Sequence, residues 1–514
     1  MRNTLVSLLA LLPLAIMADG YKNPIIPGYH PDPSVCRVGD KFYLVNSSFH
    51  YFPGVPIYES TDLVNWTQIG NVLDRKSQIP LKNGSSWLGI YAPTIRYNDG
   101  TYYMITTNVG NGGNFMVTAT DPGGPWSEPI WLQQQGIDPS LLFENGKCYM
   151  VSNPDATIML CEIDPVTGEQ LTESRAIWRG TGGRHPEGPH IYSKDGYYYL
   201  LISEGGTELA HKLTIARSKD IYGPYEGCPD NPILTHCRMA AQYNPIQGTG
   251  HGDLVQADDG SWWMVFLGFR FLNGSYHHLG RETFLTPVEW KEGEWPVVNG
   301  GNPIEIDMSE MPTIAKQSAD NRYQNTAKDG FDNMGYEWLY IQNPDSTKYE
   351  HVGSAIRLYG SKTGISQNEG PTYLGRRQEA PAVEATTLID AVNLKPEDEA
   401  GITIYQINNG HMDIAVKRSD DGSLSIIRRS VIMSLVKEEE VFKTTNNLVC
   451  LQIKSDGQTY TLSAGEKDGE PIATQPIECQ ILSTEVVGGF TGVTLGMYVQ
   501  GTGSADFLYF DYKE

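Results

Sequence analysis

Cysteine is scarce in this chain, and basic residues are outnumbered by acidic ones. Seven cysteines in 514 residues cannot hold a fold of this size, and they lack the paired spacing of a zinc site. A core of buried side chains must therefore stabilise the protein, with the cysteines as free thiols, although Cys228 and Cys237 share one loop-like stretch and could form a disulfide bond. Lysine and arginine number 38 against 61 acidic residues, which gives a net charge of -23. A field of this sign opposes binding to nucleic acid or to anionic membranes and favours a neutral partner.

Long hydrophobic runs are missing after the first residues. Residues 5–16 are mostly apolar, follow Arg2 and precede small residues near Ala18. This run is too short to span a bilayer, and its layout is typical of a secretory signal peptide, with a buried N-terminal helix as the alternative. We expect residues 1–18 to be a signal peptide and the protein to be exported, without a lipid anchor because no cysteine follows the run.

Long amphipathic helices are absent from the pattern, whereas glycine (54), tyrosine (29) and tryptophan (10) are plentiful. This composition favours a turn-rich, all-β protein. The length exceeds what one hydrophobic core usually holds, so we expect two domains.

Five segments repeat one pattern of an alternating apolar strand, a glycine-centred turn and a strand rich in aromatic residues. They begin at His30, Tyr91, Ile137, His185 and Gly250. Each predicts a β-hairpin with an Asp-Gly, Asn-Gly or Gly-Asp turn. The repeat interval of about 45 to 65 residues is typical of propeller blades of four strands. We predict a five-bladed β-propeller over residues 19–305.

Equivalent positions of these repeats carry chemistry-bearing residues. They are Asp32, Ala92-Pro93, Asp138, Glu187 and His251. Because the innermost strand of each blade follows the central channel, these residues are expected to converge on one pocket. The alternative is that the acids only cap turns beside proline.

The repeat pattern stops near residue 305. Residues 306–330 are polar and predict a linker. From residue 331 to 514, alternating strands such as AGITIYQI and TYTLSA recur at short spacing, which predicts an antiparallel β-sandwich.

Three acids in one pocket fit the cleavage of a glycosidic bond. This reaction needs a protonated acid at the leaving oxygen and a second carboxylate that activates water or attacks the sugar. Asp32 and Glu187 belong to non-adjacent repeats and can face one another, while Asp138 can keep the acid protonated near neutral pH.

The motifs HPDPSV, SSFHYFPGVPIYES, GIYAPTI, GIDPSL, HPEGPHIY, GTGHGDLV and LGRETFL stand in this order in the chain. Together they resemble glycoside hydrolase family 43. The stretches LGRRQ, AGITIYQ and GGFTGVTLGMY resemble the sandwich domain of its β-xylosidase and α-L-arabinofuranosidase branch. The resemblance implies an inverting mechanism with Asp32 as general base, Glu187 as general acid and Asp138 as the residue that orients the acid and tunes its pKa.

The resemblance also implies residues that bind substrate. Phe49 and Tyr91 match positions that wall the sugar pocket, and Arg281 matches an arginine that bonds sugar hydroxyls. Phe490 matches an aromatic residue that reaches the pocket from the sandwich domain, which would close one side and favour exo action. His251 matches a residue at the channel centre that helps hold a structural calcium or a water cluster in some relatives. The alternative for Phe49 and Tyr91 is ordinary packing, and that for Arg281 is a surface ion pair. For His251 it is a core histidine, and for the stretch around Phe490 it is a simple turn and strand.

We therefore expect an exo-acting inverting enzyme that releases terminal α-L-arabinofuranosyl units from a neutral, pentose-containing oligosaccharide. A β-D-xylosidase or a bifunctional enzyme is the alternative, and a non-catalytic sugar-binding propeller or a fructan-active hydrolase are others. No cofactor is required, and a structural calcium near His251 is optional. The signal peptide and the resemblance together point to the periplasm.

Overall fold

The computed structural model describes residues 20–81, 85–311, 314, 328–329 and 331–514. The predicted signal peptide at 1–18 lies outside these residues, as does most of the predicted linker at 306–330. The structure is 52 % strand and 3 % helix, which confirms the expected all-β class. None of the helices among the described residues is long and apolar enough to cross a membrane.

The strands before residue 309 follow the repeats of the sequence. The first are β1 (Tyr21–Lys22), β2 (Ser34–Val38), β3 (Lys41–Val45), β4 (Tyr51–Phe52), β5 (Gly54–Ser60) and β6 (Thr67–Leu73). Next come β7 (Gly89–Ile90), β8 (Thr94–Asn98), β9 (Thr101–Val109), β10 (Gly113–Ala119) and β11 (Ile130–Trp131). The third group is β12 (Ile137–Glu144), β13 (Lys147–Asn153), β14 (Ile158–Ile163) and β15 (Arg175–Trp178).

Two more groups complete this half of the chain. The fourth is β16 (Glu187–Lys194), β17 (Tyr197–Glu204), β18 (Lys212–Ser218), β19 (Glu226–Gly227) and β20 (Leu234–Thr235). The fifth is β21 (Ile246–Gln256), β22 (Trp262–Arg270), β23 (Glu282–Glu289) and β24 (Val297–Val298). A 3-10 turn at Asn299–Gly301 and β25 (Asp307–Met308), which pairs with β1, follow.

Within this half, five antiparallel sheets surround a common centre. Their strand orders are β2-β3-β5-β6, β7-β9-β10-β11 with β8 on β9, β12-β13-β14-β15, β16-β17-β18-β19 with β20 on β18, and β21-β22-β23-β24. The first long strands contact one another in a ring: β2 with β8 and β21, β12 with β8 and β16, and β16 with β21. Apolar side chains fill the space between neighbouring sheets, including Leu44 of the first sheet against Val265 and Leu285 of the last. The ring of sheets is therefore closed.

Two-residue turns connect the hairpins as the sequence predicts. Asp99-Gly100, Asn145-Gly146 and Asp195-Gly196 all have positive φ angles, and the residues that flank each turn pair directly. Positive φ at both central positions matches the right-handed twist of the strands and favours glycine with aspartate or asparagine.

The second half of the chain forms two larger sheets. Its strands are β26 (Lys328–Asp329), β27 (Tyr340–Ile341), β28 (Tyr349–Val352), β29 (Ala355–Tyr359), β30 (Thr372–Arg377), β31 (Ala382–Asp390), β32 (Glu399–Ile407) and β33 (Gly410–Arg418). They continue with β34 (Leu424–Ile432), β35 (Leu435–Thr444), β36 (Leu448–Asp456), β37 (Thr459–Glu466), β38 (Ile472–Ala473), β39 (Ile477–Glu478), β40 (Thr494–Gln500) and β41 (Ser504–Lys513). Short helical segments lie at Phe331–Asn333, Ser346–Lys348, Cys479–Leu482 and, as α1, at Thr484–Val487.

These two sheets pack face to face as the predicted sandwich. One has the order β30-β40-β32-β33-β34-β35, and the other has the order β28-β29-β41-β31-β36-β37-β38, with β26 on β41 and β39 on β37. Ile402 and Ile414 of the first contact a core shared with Leu451 and Ile453 of the second. Alternating burial along β36 leaves its other face toward solvent.

The inner part of the six-stranded sheet is buried on both faces, whereas its edge strand β35 is mostly exposed. Every residue of β32 is buried, because the face opposite the sandwich core packs on the ring of sheets. There Tyr405 and Tyr498 join a cluster with Tyr29 and Phe49, and β27 pairs with β4. The sandwich is thereby fixed against the end of the ring that carries Phe49.

The cysteines form no disulfide bond among the described residues. All seven are free thiols, and most are buried. Cys228 and Cys237 are not joined, so the reading of the cysteines as free thiols is confirmed.

Candidate active site

Four of the five sheets have a left-handed backbone residue within their first long strand or two residues before it. These residues are Asp32 (φ 54°), Asp138 (φ 52°), Gly188 (φ 57°) and His251 (φ 45°). The strand pairing is irregular at this point in β12, β16 and β21. A bulge of this kind turns a side chain out of the normal alternation, and a non-glycine residue in it carries backbone strain of about 1–3 kcal/mol.

The fourth sheet differs from the register that the repeats predict. Gly188 takes the position equivalent to Asp32 and Asp138, and Glu187 lies one residue earlier. An added Cβ at Gly188 would lie 3.0 Å from the ring of His251. Glycine at this position leaves room for the imidazole while Glu187 supplies the carboxyl.

The structure brings all eight predicted site residues to one small cavity. Its lining consists of Asp32, Phe49, Tyr91, Ala92, Ile137, Asp138, Glu187, Thr207, His211, His251, Arg281 and Phe490. A second, roomier cavity is lined by residues such as Trp66, Arg377 and Glu379. None of the three repeat carboxyls lines that second cavity, so the acid–base chemistry belongs to the first.

Sequence reasoning missed Thr207 and His211. Both lie between β17 and β18, outside the segments that show the repeat pattern. Neither residue belongs to a repeat or a motif, so the sequence gives no indication of its role. Only the packing of this segment over the cavity identifies the two residues.

Asp32 is a hydrogen-bonded carboxylate. Its Oδ2 accepts a hydrogen bond from Ser47 Oγ at 2.6 Å, and its Oδ1 lies 3.2 Å from Arg281 Nη1. Burial alone would raise the pKa of this carboxyl, but Arg281, His251 and the Ser47 hydrogen bond outweigh burial and lower the pKa below its usual value. Asp32 is therefore ionised at neutral pH and can accept a proton.

The pKa values of Glu187 and Asp138 are shifted in the opposite direction, upward. Burial and the charge of Asp32 raise the pKa of Glu187 to about 7, although Arg281 acts in the other direction. Burial and the charges of Glu187 and Asp32 raise the pKa of Asp138 well above its usual value, while the N–H of Gly188, 3.2 Å from Oδ2, lowers it. The two carboxyls titrate as a pair, and the pair retains a proton near neutral pH. The cavity thus holds a proton donor beside an ionised acceptor.

Arg281 connects the carboxylates to the rest of the wall. It is 6 % exposed, and besides Asp32 it donates to Thr207 Oγ1 at 2.9 Å and to the carbonyl oxygen of Phe490 at 3.2 Å. One guanidinium therefore joins the ring of sheets to the sandwich at the cavity.

Aromatic rings form one side of the cavity. The ring centroid of Phe49 lies 5.1 Å from that of Tyr91 and 5.5 Å from that of Phe490. Trp87, which is 42 % exposed, packs edge-on against Phe490 at 4.7 Å. An apolar wall opposite polar groups suits a ligand with both C–H and hydroxyl surfaces.

Arg96 lies near His251, at the centre of the ring of sheets. Its guanidinium donates to Asp253 Oδ2 at 2.8 Å and lies 2.9 Å from Nδ1 of His190. Asp253 also accepts hydrogen bonds from Ser34 and Tyr192. The described residues contain no group of three or more metal-ligating side chains, and the oxygens of Asp253 are already bonded to a cation, so these residues do not fit a bound calcium ion.

Comparison with known proteins agrees with this chemistry. The family described as Glycosyl hydrolases family 43 matches residues 21–296, more than half of the chain. The chain belongs to this family. Residues 328–513 match the Beta xylosidase C-terminal Concanavalin A-like domain, and the protein is a glycosidase.

Relatives of the family 43 chain match it over nearly its whole length. The non-reducing end alpha-L-arabinofuranosidase BoGH43B of Bacteroides ovatus is 40 % identical, over 100 % of this chain and 99 % of that protein. A xylosidase/arabinosidase of Butyrivibrio fibrisolvens is 38 % identical, over 96 % and 98 %.

Solved structures of family members superpose closely on this chain. The structure of the Bacteroides ovatus xyloglucan PUL GH43B has a TM-score of 0.89 at 38 % identity, covering 96 % of this chain and 99 % of that one. A xylan beta-1,4-xylosidase from Bacillus halodurans C-125 has a TM-score of 0.89 at 32 % identity, covering 96 % and 100 %.

Proposed function

We propose that this glycosidase is an exo-acting, inverting enzyme that releases terminal α-L-arabinofuranosyl units from arabinose-decorated plant polysaccharides or oligosaccharides. The observation that carries the proposal is that Asp32 and Glu187 line one small cavity, where the pKa of Asp32 is lowered and that of Glu187 is raised. The relative from Bacteroides ovatus, named as a non-reducing end arabinofuranosidase and similar over the full length, supports this substrate class.

The reaction follows from the two protonation states. Ionised Asp32 accepts a proton from water as the water oxygen attacks the anomeric carbon. The bond from that carbon to the glycosidic oxygen breaks, and Glu187 gives its proton to the leaving oxygen. Asp138 titrates together with Glu187, and in this proposal it orients the acid and tunes its pKa. A single displacement inverts the anomeric configuration.

The ring of sheets is proposed to be a five-bladed propeller with one sheet per blade. The closed circle of contacts among the first strands supports this arrangement. In such a fold the channel mouth gathers one position from each blade, which accounts for three acids from distant parts of the chain at one cavity.

Phe490 supports exo action. It reaches the cavity from the sandwich and packs on Phe49, so that side of the cavity is blocked. A pocket closed in this way accepts the end of a chain rather than its middle.

A β-D-xylosidase, or an enzyme with both activities, is the second candidate. The name xylosidase/arabinosidase of the Butyrivibrio fibrisolvens relative favours it, and both pentoses present hydroxyls to a small pocket in similar ways.

The test compares initial rates on aryl α-L-arabinofuranoside and aryl β-D-xyloside. We expect the higher kcat/KM on the arabinofuranoside, with proton NMR of early product showing the β anomer. Higher kcat/KM on the xyloside supports the second candidate, and turnover of neither substrate nor of arabinosylated oligosaccharides would favour a sugar-binding protein.

A variant of the proposed acid tests the role of Glu187. Glu187→Gln should lose far more activity on natural linkages than on aryl glycosides, because a good leaving group needs little protonation. Equal losses on both would contradict the assignment of Glu187.

Arg96 is proposed to take the place of a structural cation near His251, so that folding requires no calcium. Its hydrogen bonds to Asp253 and its contact with His190, both from strands of other sheets, support the proposal. The reaction above uses only carboxyls and water.

Export to the periplasm is likewise a proposal. The signal-like residues 1–18 support it, and they lie outside the described residues. N-terminal sequencing of the protein secreted by its host would test for cleavage near Ala18.

A further inference from the structure

His211 lies beside Glu187 and has no part in the reaction described above. It is 1 % exposed, and its Nε2 lies 3.8 Å from Glu187 Oε1. Its backbone N–H donates to the carbonyl of Glu208, which ties the residue to the segment between β17 and β18. The imidazole therefore faces the carboxyl that must hold the catalytic proton.

Hydrogen bonding fixes the tautomer of His211. Its Nδ1 lies 3.0 Å from the carbonyl oxygen of Gly248, and because a carbonyl only accepts, Nδ1 must carry a proton. Burial lowers the pKa of His211 to about 4, so the ring is neutral and Nε2 is a bare lone pair. Nε2 is buried and has no hydrogen-bond partner among the described residues.

The β21 backbone holds the ring in its plane. An added Cβ at Gly250 would lie 2.2 Å from Cε1 of His211, so the imidazole packs directly on the glycine. The ring cannot turn its Nε2 away from Glu187 without moving this strand.

We propose that His211 is a positioning residue for the general acid, whose Nε2 accepts a hydrogen bond from the protonated carboxyl of Glu187. The proposal rests on the function proposed above. A shift of less than about 1 Å brings the two atoms to hydrogen-bond distance. The lone pair attracts the acid form and repels the carboxylate, so it favours the protonated state that the reaction needs.

The proton still goes to the substrate. Once the sugar fills the cavity, the O–H of Glu187 turns to the glycosidic oxygen, and that oxygen leaves with the proton. His211 remains neutral throughout, because its single proton stays on Nδ1, which donates to the carbonyl of Gly248, and Nε2 takes up none.

Other charges also face these two groups. Those around Glu187 are Asp32, Asp138, Arg184 and Arg281, and those around His211 are His251, Arg281, Asp32 and Glu187. All of them remain when only His211 is replaced, so a change in the pKa of Glu187 reports on the imidazole.

Two variants separate the acceptor from the packing. His211→Asn keeps an amide N–H for the carbonyl of Gly248 but offers no acceptor at the position of Nε2. His211→Gln reaches that position with its amide oxygen. Both are compared with the unmodified protein by the pH dependence of kcat/KM and by 13C NMR titration of the Glu187 carboxyl, assigned through Glu187→Gln.

We expect the pKa of Glu187 and the alkaline limb of kcat/KM to fall by about one unit in His211→Asn and to return in His211→Gln. An unchanged pKa in His211→Asn, or an equal fall in both variants, would overturn the proposal. A purely structural role would lower kcat at every pH without moving the limb.

One measurement needs no variant. 15N NMR of the histidines in the unmodified protein should show the Nδ1–H tautomer of His211 across neutral pH, and an imidazolium or an Nε2–H tautomer would refute the proposal. If the protein hydrolyses neither aryl glycoside, the proposed function fails, while the NMR titration still decides whether His211 holds the proton on Glu187.

Discussion

At the residue scale, the site depends on two carboxyls whose environments push their pKa values apart. Asp32 has Arg281 and Ser47 as partners, whereas Glu187 is buried beside other carboxyls. Desolvation acts on both, and only the balance of nearby charges differs. This difference supports the proposed roles of Asp32 as base and Glu187 as acid.

The first prediction concerns pH. Since Asp32 must be ionised and its pKa is lowered, the acid-side fall of kcat/KM should come at a lower pH than an ordinary aspartate would give. Since Glu187 must be protonated, kcat/KM should fall as pH rises through about 7. Rates on aryl α-L-arabinofuranoside across the pH range measure both limbs. In Glu187→Gln the alkaline limb near 7 should vanish, and its persistence there would assign the limb to another group.

At the element scale, the carboxyls are placed by left-handed residues before β2 and in β12 and by a bulge in β16. A regular strand would alternate its side chains between two faces, whereas the left-handed residues at Asp32, Asp138 and His251 turn theirs toward the cavity. Gly188 leaves room for the imidazole of His251, and Gly250 leaves room for that of His211. The backbone strain thus falls on residues whose side chains line the cavity.

Gly250→Ala tests this packing. The new Cβ would lie 2.2 Å from His211, so the imidazole or β21 must move. We expect a loss of about 1–3 kcal/mol in the free energy of unfolding, measured by urea denaturation, together with a lower kcat.

Gly70→Ala is the matched control. Gly70 also lies in a strand, and its added Cβ would meet only ordinary contacts at 3.6 Å and beyond. A similar loss of stability in both variants would show that glycine in a strand, and not the close approach to His211, matters.

At the scale of the whole molecule, the sandwich completes the site. Strand β32 of its six-stranded sheet is buried along its whole length, and Phe490, in the segment before β40, reaches Phe49 and Arg281. The sandwich is thus part of the catalytic cavity, which an appended module would not be.

Phe490→Ala should lower kcat/KM by about 10- to 100-fold, because a wall of the sugar pocket is lost. Steady-state kinetics on aryl α-L-arabinofuranoside measure this. Tyr336→Ala, at a position of the same half that is 52 % exposed, is the control and should leave kcat/KM unchanged. Equal effects of the two substitutions would mean that Phe490 contributes nothing to the pocket.

The guanidinium of Arg96 links strands of three sheets at the centre of the ring. Arg96→Ala leaves Asp253 buried without its cation, so we expect a loss of about 3–5 kcal/mol, partly restored by added calcium. The exposed pair of Arg37 and Asp258 provides the control, since Arg37→Ala should cost no more than about 1 kcal/mol. Melting of the unmodified protein should not respond to EDTA, and a lower Tm in EDTA would contradict the proposal.

Much of the fold follows from local signals. The dipeptides Asp99-Gly100 and Asn145-Gly146 predict hairpins because few other residues adopt positive φ at both positions. The repeat interval predicts the series of sheets, and the motif residues that the repeats align lie at one cavity. The offset of Glu187 by one residue was not predicted, since a bulge in β16 is not visible in the pattern of apolar residues.

The sequence by itself determined which elements form and which side chains can take part, because turn chemistry, alternation and repeats act over a few neighbouring residues. Only the tertiary structure decided that the pKa of Asp32 is lowered and that of Glu187 raised, that His211 faces Glu187 and that Phe490 lies at the cavity. A pKa depends on burial and on charges across space, and these groups come from segments far apart in the chain. No local pattern encodes the distances between them.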